Sequence, residues 1–109
     1  MEITESKNGD FFILSIDGRL DANSINQFEE KLIGAIDAGN KNVAIDFGGL
    51  EYISSSGLRV FLVGAKKLDE YGKKLNLCNV KEHIQEVFNI TGFTPIFNFY
   101  DDVRSVAGK

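Results

Sequence analysis

At 109 residues, with 43% hydrophobic and 26% charged side chains, the chain has the composition of one folded domain rather than of a disordered or fibrous protein. Such a length buries about two thirds of the surface that the unfolded chain exposes, and nine Phe with no Trp supply the bulk of the core. A net charge of −4 without a Lys/Arg cluster excludes the basic face that nucleic-acid binding requires, and the single cysteine, Cys78, excludes an intramolecular disulfide and a Cys-rich metal site.

The first residues, Met1-Glu-Ile-Thr-Glu5, lack the basic and apolar regions of a secretory signal, and no apolar run approaches the ~18 residues of a membrane span. A cytoplasmic protein that does not enter the membrane is therefore expected.

Ile3–Ser6 and Phe11–Ile16 flank Asn8-Gly9, a dipeptide suited to the positive φ angles of a two-residue hairpin turn, so an antiparallel hairpin should open the fold. Phe11–Leu14 is nearly continuous apolar sequence, which fits a strand covered on both faces or one carrying an exposed aromatic. Asp17–Ser24 breaks the pattern, and Ser24 with Gln27 three residues later reads as a capping box. The helix that follows carries Ile25, Phe28, Leu32 and Ile36 on one face, and Gly39-Asn40 supplies a left-handed stop. Lys41–Phe47 has the length and β-branched content of a buried strand, which makes a βαβ crossover and a partly parallel sheet.

After that strand come Ser54, Ser55 and Ser56, immediately before an apolar stripe of Leu58, Phe61, Leu62, Ala65 and Leu68 at helical spacing. The serines thus stand at a helix N-terminus, where backbone N–H groups lack intrahelical partners and the summed peptide dipoles favour an anion. One hydroxyl suffices for an N-cap, worth ~1 kcal/mol, and three are not needed for that purpose. Functional loops of open α/β sheets collect beyond the carboxyl ends of parallel strands, which is where this loop leaves the sheet.

The second helix should stop near Tyr71-Gly72, and Lys74–Cys78 reads as another strand, in which Cys78 is a small buried hydrophobe. Lys66-Lys67 and Lys73-Lys74 flank the helix end, complement its dipole and are assigned no ligand. Asn79 with Glu82 can cap a third helix that turns Ile84, Val87 and Phe88 inward and ends at Gly92. Thr94-Pro95 forces a turn, Ile96–Tyr100 is a last short strand, and Asp101 or Asp102 can cap a terminal helix through Ala107.

Catalytic patterns are missing one by one. Gly48-Gly49 is not followed by the Gly-Lys-Ser/Thr of a phosphate loop, and Ile53, two residues before Ser55, is not the glycine of a nucleophile elbow. The only histidine, His83, reads as a solvated residue in the first turn of the third helix, and no spacing groups carboxylates into a metal site. No enzyme activity, metal or cofactor is expected.

Ile53-Ser-Ser-Ser-Gly-Leu58 after the strand Val43–Phe47, the hairpin, the segment Gly18-Arg-Leu-Asp21 and the overall length together resemble the bacterial anti-sigma factor antagonists of the STAS-domain family. The likeness covers nearly the whole chain as one domain, residues 1–109. It implies an α/β fold, a mixed sheet opened by an N-terminal β-hairpin with about four helices packed against it. It also implies that Ser55 is a phosphoacceptor, with Ser54 and Ser56 as the alternatives. Ser54 occupies the position that the family usually fills with Asp. Asp21, Asn23, Ser54, Ser56, Gly57 and Arg59 fall on the implied partner-binding surface, although an Asp before a helix is equally a cap or turn former.

By the same resemblance, the unphosphorylated protein binds an anti-sigma factor that is also a serine-protein kinase, and so releases a sigma factor. Phosphorylation ends that contact and a PP2C-like phosphatase restores it, Mg-ATP being the kinase's cofactor. A phosphoserine adds about −1.5 to −2 charges and three acceptor oxygens, enough to repel a partner docked on the unmodified loop. The chain's size suggests a monomer. The alternative reading, to which Ser54 in place of the acid points, is a sensing or scaffold domain that binds a small ligand or a protein without serine phosphorylation. A nucleotide-binding enzyme is a third, favoured by no motif.

Overall fold

The computed structural model of the chain describes residues 1–107. Two antiparallel strands, β1 (Glu2–Asn8) and β2 (Phe11–Leu20), open it. Asn8 pairs with Phe11, so the two-residue turn is Gly9-Asp10, one residue later than the Asn8-Gly9 turn expected from sequence. Gly9 takes a φ of 62°, and a glycine at the first central position is what a type II′ turn selects.

There follow α1 (Ile25–Asp37), β3 (Val43–Ile53), α2 (Ser55–Asp69), β4 (Asn76–Cys78), α3 (Glu82–Thr91), a 3-10 turn at Thr94–Ile96, β5 (Asn98–Tyr100) and α4 (Val103–Ala107). The five strands lie in the order β1-β2-β3-β4-β5, with β2 to β5 parallel to one another and β1 antiparallel to β2. Parallel neighbours need long crossovers, and α1, α2 and α3 provide them. The result is the mixed, hairpin-opened α/β sheet that the sequence implied.

Successive residues of a strand point to opposite faces, and here both faces are covered. On one, Leu14, Ile45 and Leu77 meet Phe28 and Leu32 of α1, Phe61 and Leu68 of α2, and Phe88 of α3. The Phe61 ring sits 5.0 Å from Phe28 and 5.1 Å from Phe47, tying both helices to β3. On the other face Ile13, Ala44 and Cys78 pack against Val106 of α4. The apolar run Phe11–Leu14 is thus a strand covered on both sides, with Ile13 and Leu14 buried in different layers.

Several local expectations are corrected. β3 does not end at Phe47 but runs to Ile53. Its register against β2 slips between Ser15/Asp17 and again between Gly18/Arg19, so extra β3 residues are absorbed as bulges. A side chain at Gly49 would displace the exposed Asp17 carboxylate from its place and lie 3.2 Å from the Asp17 Cα, a close approach of the two strands at the bulge. The Ser24/Gln27 capping box does not form, because Ser24 makes no bond to the helix N–H groups and its hydroxyl turns back to the Arg19 carbonyl. Nor does Asn79 cap α3. It takes a left-handed φ of 55°, which Asn tolerates, and its amide donates to Asp46 Oδ1 at 2.9 Å while Lys81 precedes the helix. α2, by contrast, stops where the sequence placed its end, at Asp69 with the turn running through Tyr71-Gly72. β4 and β5 are shorter than expected, starting at Asn76 and Asn98, and for β5 the reason is that Ile96 belongs to the 3-10 turn. The cap of α4 is Asp102, whose Oδ1 accepts from the Ser105 N–H at 2.8 Å.

Candidate functional site

The site is built where β3 leaves the sheet. Ile53 is buried, and the next residue is stapled to β2 by a 2.9 Å hydrogen bond from the Ser54 N–H to the Leu20 carbonyl. Ser54 is extended (φ −87°, ψ 169°), as an N-cap must be, and its hydroxyl accepts from the Gly57 N–H at 3.1 Å. Ser55 and Ser56 therefore occupy the first two helical positions of α2. Their N–H groups lie in the turn that has no intrahelical acceptor, at the positive end of the helix dipole.

The three serines are no longer equivalent. Ser54 is half-buried and committed to the cap, whereas Ser55 and Ser56 are exposed. Ser56 faces a shallow groove of about 300 Å³ between α1 and α2, shared with Ile25, Arg59 and Val60, while Ser55 stands outside it at the crest.

Gly57, expected on the partner-facing surface, is buried instead. A methyl group there would lie 2.9 Å from Leu20 Cγ and 3.1 Å from the Leu20 carbonyl oxygen, so glycine is what lets the helix start press onto the end of β2. Its contribution is to packing.

The turn from β2 to α1 forms the facing wall. Buried Ser24 donates to the Arg19 carbonyl at 2.7 Å and accepts from the Asp21 N–H at 3.1 Å, which ties the turn down. Asp21 has the local task that its position suggested: Oδ1 accepts from the Asn23 N–H at 3.0 Å, and its backbone carbonyl receives the Ser24 and Ile25 N–H groups at 3.0 Å each. Asn23 is exposed beside it, and Asp21 Oδ2 lies 3.7 Å from Arg19 Nε. The Arg19 guanidinium in turn sits 4.2 Å from the centre of the half-exposed Tyr52 ring, its cross-strand neighbour.

The structure thus brings Asp21, Asn23, Ser54, Ser55, Ser56 and Arg59 to one end of the sheet, joined through the Ser54–Leu20 bond. Sequence reasoning missed Arg19 and Tyr52. Their pairing becomes visible only once β3 is carried through its bulges past Gly49. His83, in the first turn of α3, is exposed and places Nε2 3.0 Å from the Glu51 carbonyl oxygen, so it engages backbone. Cys78 is fully buried, and burial first, then the Asp46 and Asp102 charges, push its thiol up to about 12. Among the described residues, no helix is long and apolar enough to cross a membrane.

A comparison with protein families matches residues 2–106 to the STAS domain. The chain belongs to the STAS domain family. It is 40% identical over 97 residues to the candidate anti-sigma factor antagonist BtrV of Bordetella bronchiseptica, covering 89% of this chain and 84% of that one. It is 28% identical over 98 residues to the anti-sigma-B factor antagonist of Staphylococcus epidermidis, covering 90% and 91%. The fold is shared with the Bacillus protein SpoIIAA in two forms. The unphosphorylated anti-sigma factor antagonist superposes with a TM-score of 0.76 at 19% identity over 97% of this chain and 94% of that one. The phosphorylated form gives 0.75 at 20% identity over 96% of each. Both curated relatives named here carry the name of anti-sigma factor antagonists.

Proposed function

We propose that this STAS domain is a cytoplasmic anti-sigma factor antagonist switched by phosphorylation of Ser55. In the unmodified state it binds an anti-sigma factor with serine-kinase activity and frees a sigma factor. The kinase moves the γ-phosphoryl group of Mg-ATP to Ser55 Oγ, releasing ADP and the hydroxyl proton. A PP2C-like phosphatase hydrolyses the ester to inorganic phosphate and regenerates the hydroxyl. The chain is substrate and ligand in this cycle, acting as a monomer.

The observation that carries the reading is the division of labour among the serines: Ser54 caps α2, Ser56 lines the groove against α1, and Ser55 stands exposed outside both. Ser54 also disarms the departure from the family pattern. A cap needs a side-chain oxygen that Ser and Asp supply about equally, so the helix start keeps its geometry with either residue. A phosphate on Ser55 would meet the first-turn N–H groups without unfolding the helix, while adding about −1.5 to −2 charges to a surface that already holds Asp21. The switch is then electrostatic and confined to the docking face, of which Asp21, Asn23, Ser56 and Arg59 are the neighbouring exposed or part-exposed side chains.

Titration calorimetry with a cognate kinase tests this. Ser55→Ala should bind as tightly as the parent, because an exposed hydroxyl contributes little, and Ser55→Asp should bind at least about tenfold more weakly. Equal binding by the two variants would contradict the mechanism.

A further inference from the structure

The far end of α2 carries a second surface. Leu62 and Ala65 of the helix, Ile96 of the 3-10 turn, and Lys66, Lys73 and Lys74 enclose a groove of about 450 Å³ that Asp69 closes on one side. Its floor is apolar: Ala65 is buried, Leu62 half-buried, and Ile96 remains 40% exposed, one of the few large hydrophobic side chains left in water. Three lysines against one carboxylate give the rim a charge of +2, in a chain whose net charge is −4.

The lysines of this region divide into those with a local task and those without. Lys67 turns away to Asp37, 3.1 Å from Oδ1, and Lys41 lies 3.8 Å over the Tyr71 ring. Lys74 donates to the Pro95 carbonyl at 3.1 Å, which fixes the 3-10 turn that presents Ile96. Lys66 and Lys73 are exposed, and among the described residues neither has an ion-pair partner. Both stand at the C-terminal end of α2, Lys66 in its last turn and Lys73 just beyond it with its backbone N–H on the Leu68 carbonyl, where the helix dipole favours a cation but supplies no carboxylate partner. An apolar floor under an uncompensated cationic rim is complementary to a segment with the opposite pattern.

We propose that this groove docks an acidic segment of a partner protein, one that seats a bulky apolar side chain between Leu62 and Ile96 and sets carboxylates against Lys66 and Lys73. The middle of the groove lies about 15 Å along α2 from Ser55, at a rise of ~1.5 Å per residue over the helix. Docking there is compatible with either state of Ser55, and it does not depend on the phosphorylation reading.

The test uses the full chain, isotope-labelled, titrated with a synthetic peptide that has a central leucine pair flanked on both sides by glutamates. Binding should shift the amide resonances of Leu62, Ala65, Lys66 and Ile96. Affinity should drop at least about tenfold for the double variant Lys66→Glu with Lys73→Glu, for Ile96→Ser, and for a peptide with serines in place of the leucines. All three variant positions are exposed, and unchanged circular dichroism would show that the variants remain folded. The proposal is overturned by no binding at millimolar peptide, by shifts that map elsewhere, or by affinity that survives the substitutions. It is equally overturned if single-stranded DNA or phosphatidylglycerol vesicles bind as tightly as the leucine peptide, which would make the rim an unselective polyanion patch.

Discussion

Replacing Gly57 by alanine sets two effects of known size against each other. An alanine within a helix is favoured over glycine by about 1 kcal/mol. At Gly57, however, the new methyl would lie 2.9 Å from Leu20 Cγ and 3.1 Å from the Leu20 carbonyl oxygen. Leu20 is fully buried, and that carbonyl is the acceptor that staples Ser54 to β2 at 2.9 Å, so neither atom can retreat without a further loss. Overpacking of this kind costs about 1–3 kcal/mol, and with the broken staple added the clash outweighs the propensity gain, leaving Gly57→Ala about 1–2 kcal/mol less stable. Gly34, on the exposed face of α1 with nothing within 4 Å of its would-be methyl, is the internal control, and there alanine should stabilise by about 0.5–1 kcal/mol. Urea unfolding followed by far-ultraviolet circular dichroism reads both, as midpoints moving in opposite directions with unchanged slope. A Gly57→Ala protein as stable as the parent would refute the packing argument at the site.

Ser54→Ala removes the acceptor for the Gly57 N–H and should cost about 1 kcal/mol, whereas Ser54→Asp keeps the cap and adds charge at the favourable end of the dipole, so it should match or exceed the parent in the same urea assay. The buried Cys78 thiol has its pKa raised from 9.0 to about 12 in the fold. Below pH 9 the thiol is protonated in folded and unfolded chains alike and its contribution is fully present; between 9 and 12 only the unfolded chain loses the proton, so stability falls as pH rises. The decline above pH 9 should be shallower in Cys78→Ala, and a thiol reagent at neutral pH should modify the parent only as it unfolds.

Much of the fold could be read from pattern. The apolar stripes of α1 and α2, the alternation of strand and helix, and the glycine that ends α3 at φ 79° are periodicities and stops with one economical reading. What escaped was set by contacts distant in sequence. Gly48-Gly49 looks like a break, yet β3 continues through it because β2 pairs with the bulged backbone. Ser24 has the spacing of a capping box, but its hydroxyl accepts from the Asp21 N–H and donates to the Arg19 carbonyl five residues earlier, with no bond to a helix N–H. Asn79 lost its capping role to a partner 33 residues away, Asp46. At the site, the serine loop and Asp21 were legible because helix starts are written locally. The burial of Gly57 and the stacking of Arg19 on Tyr52 were not, since both depend on how two loops from different strands meet.

The central claim is that one hydroxyl of the serine loop, Ser55, is the switch. Intact-mass and fragment mass spectrometry would be run after incubation with Mg-ATP and a cognate anti-sigma kinase, on the parent and on Ser54→Ala, Ser55→Ala and Ser56→Ala in parallel. A single added phosphate that disappears only in Ser55→Ala is the predicted result. A phosphate that survives in Ser55→Ala, or its absence from the parent with every cognate kinase, would contradict the assignment.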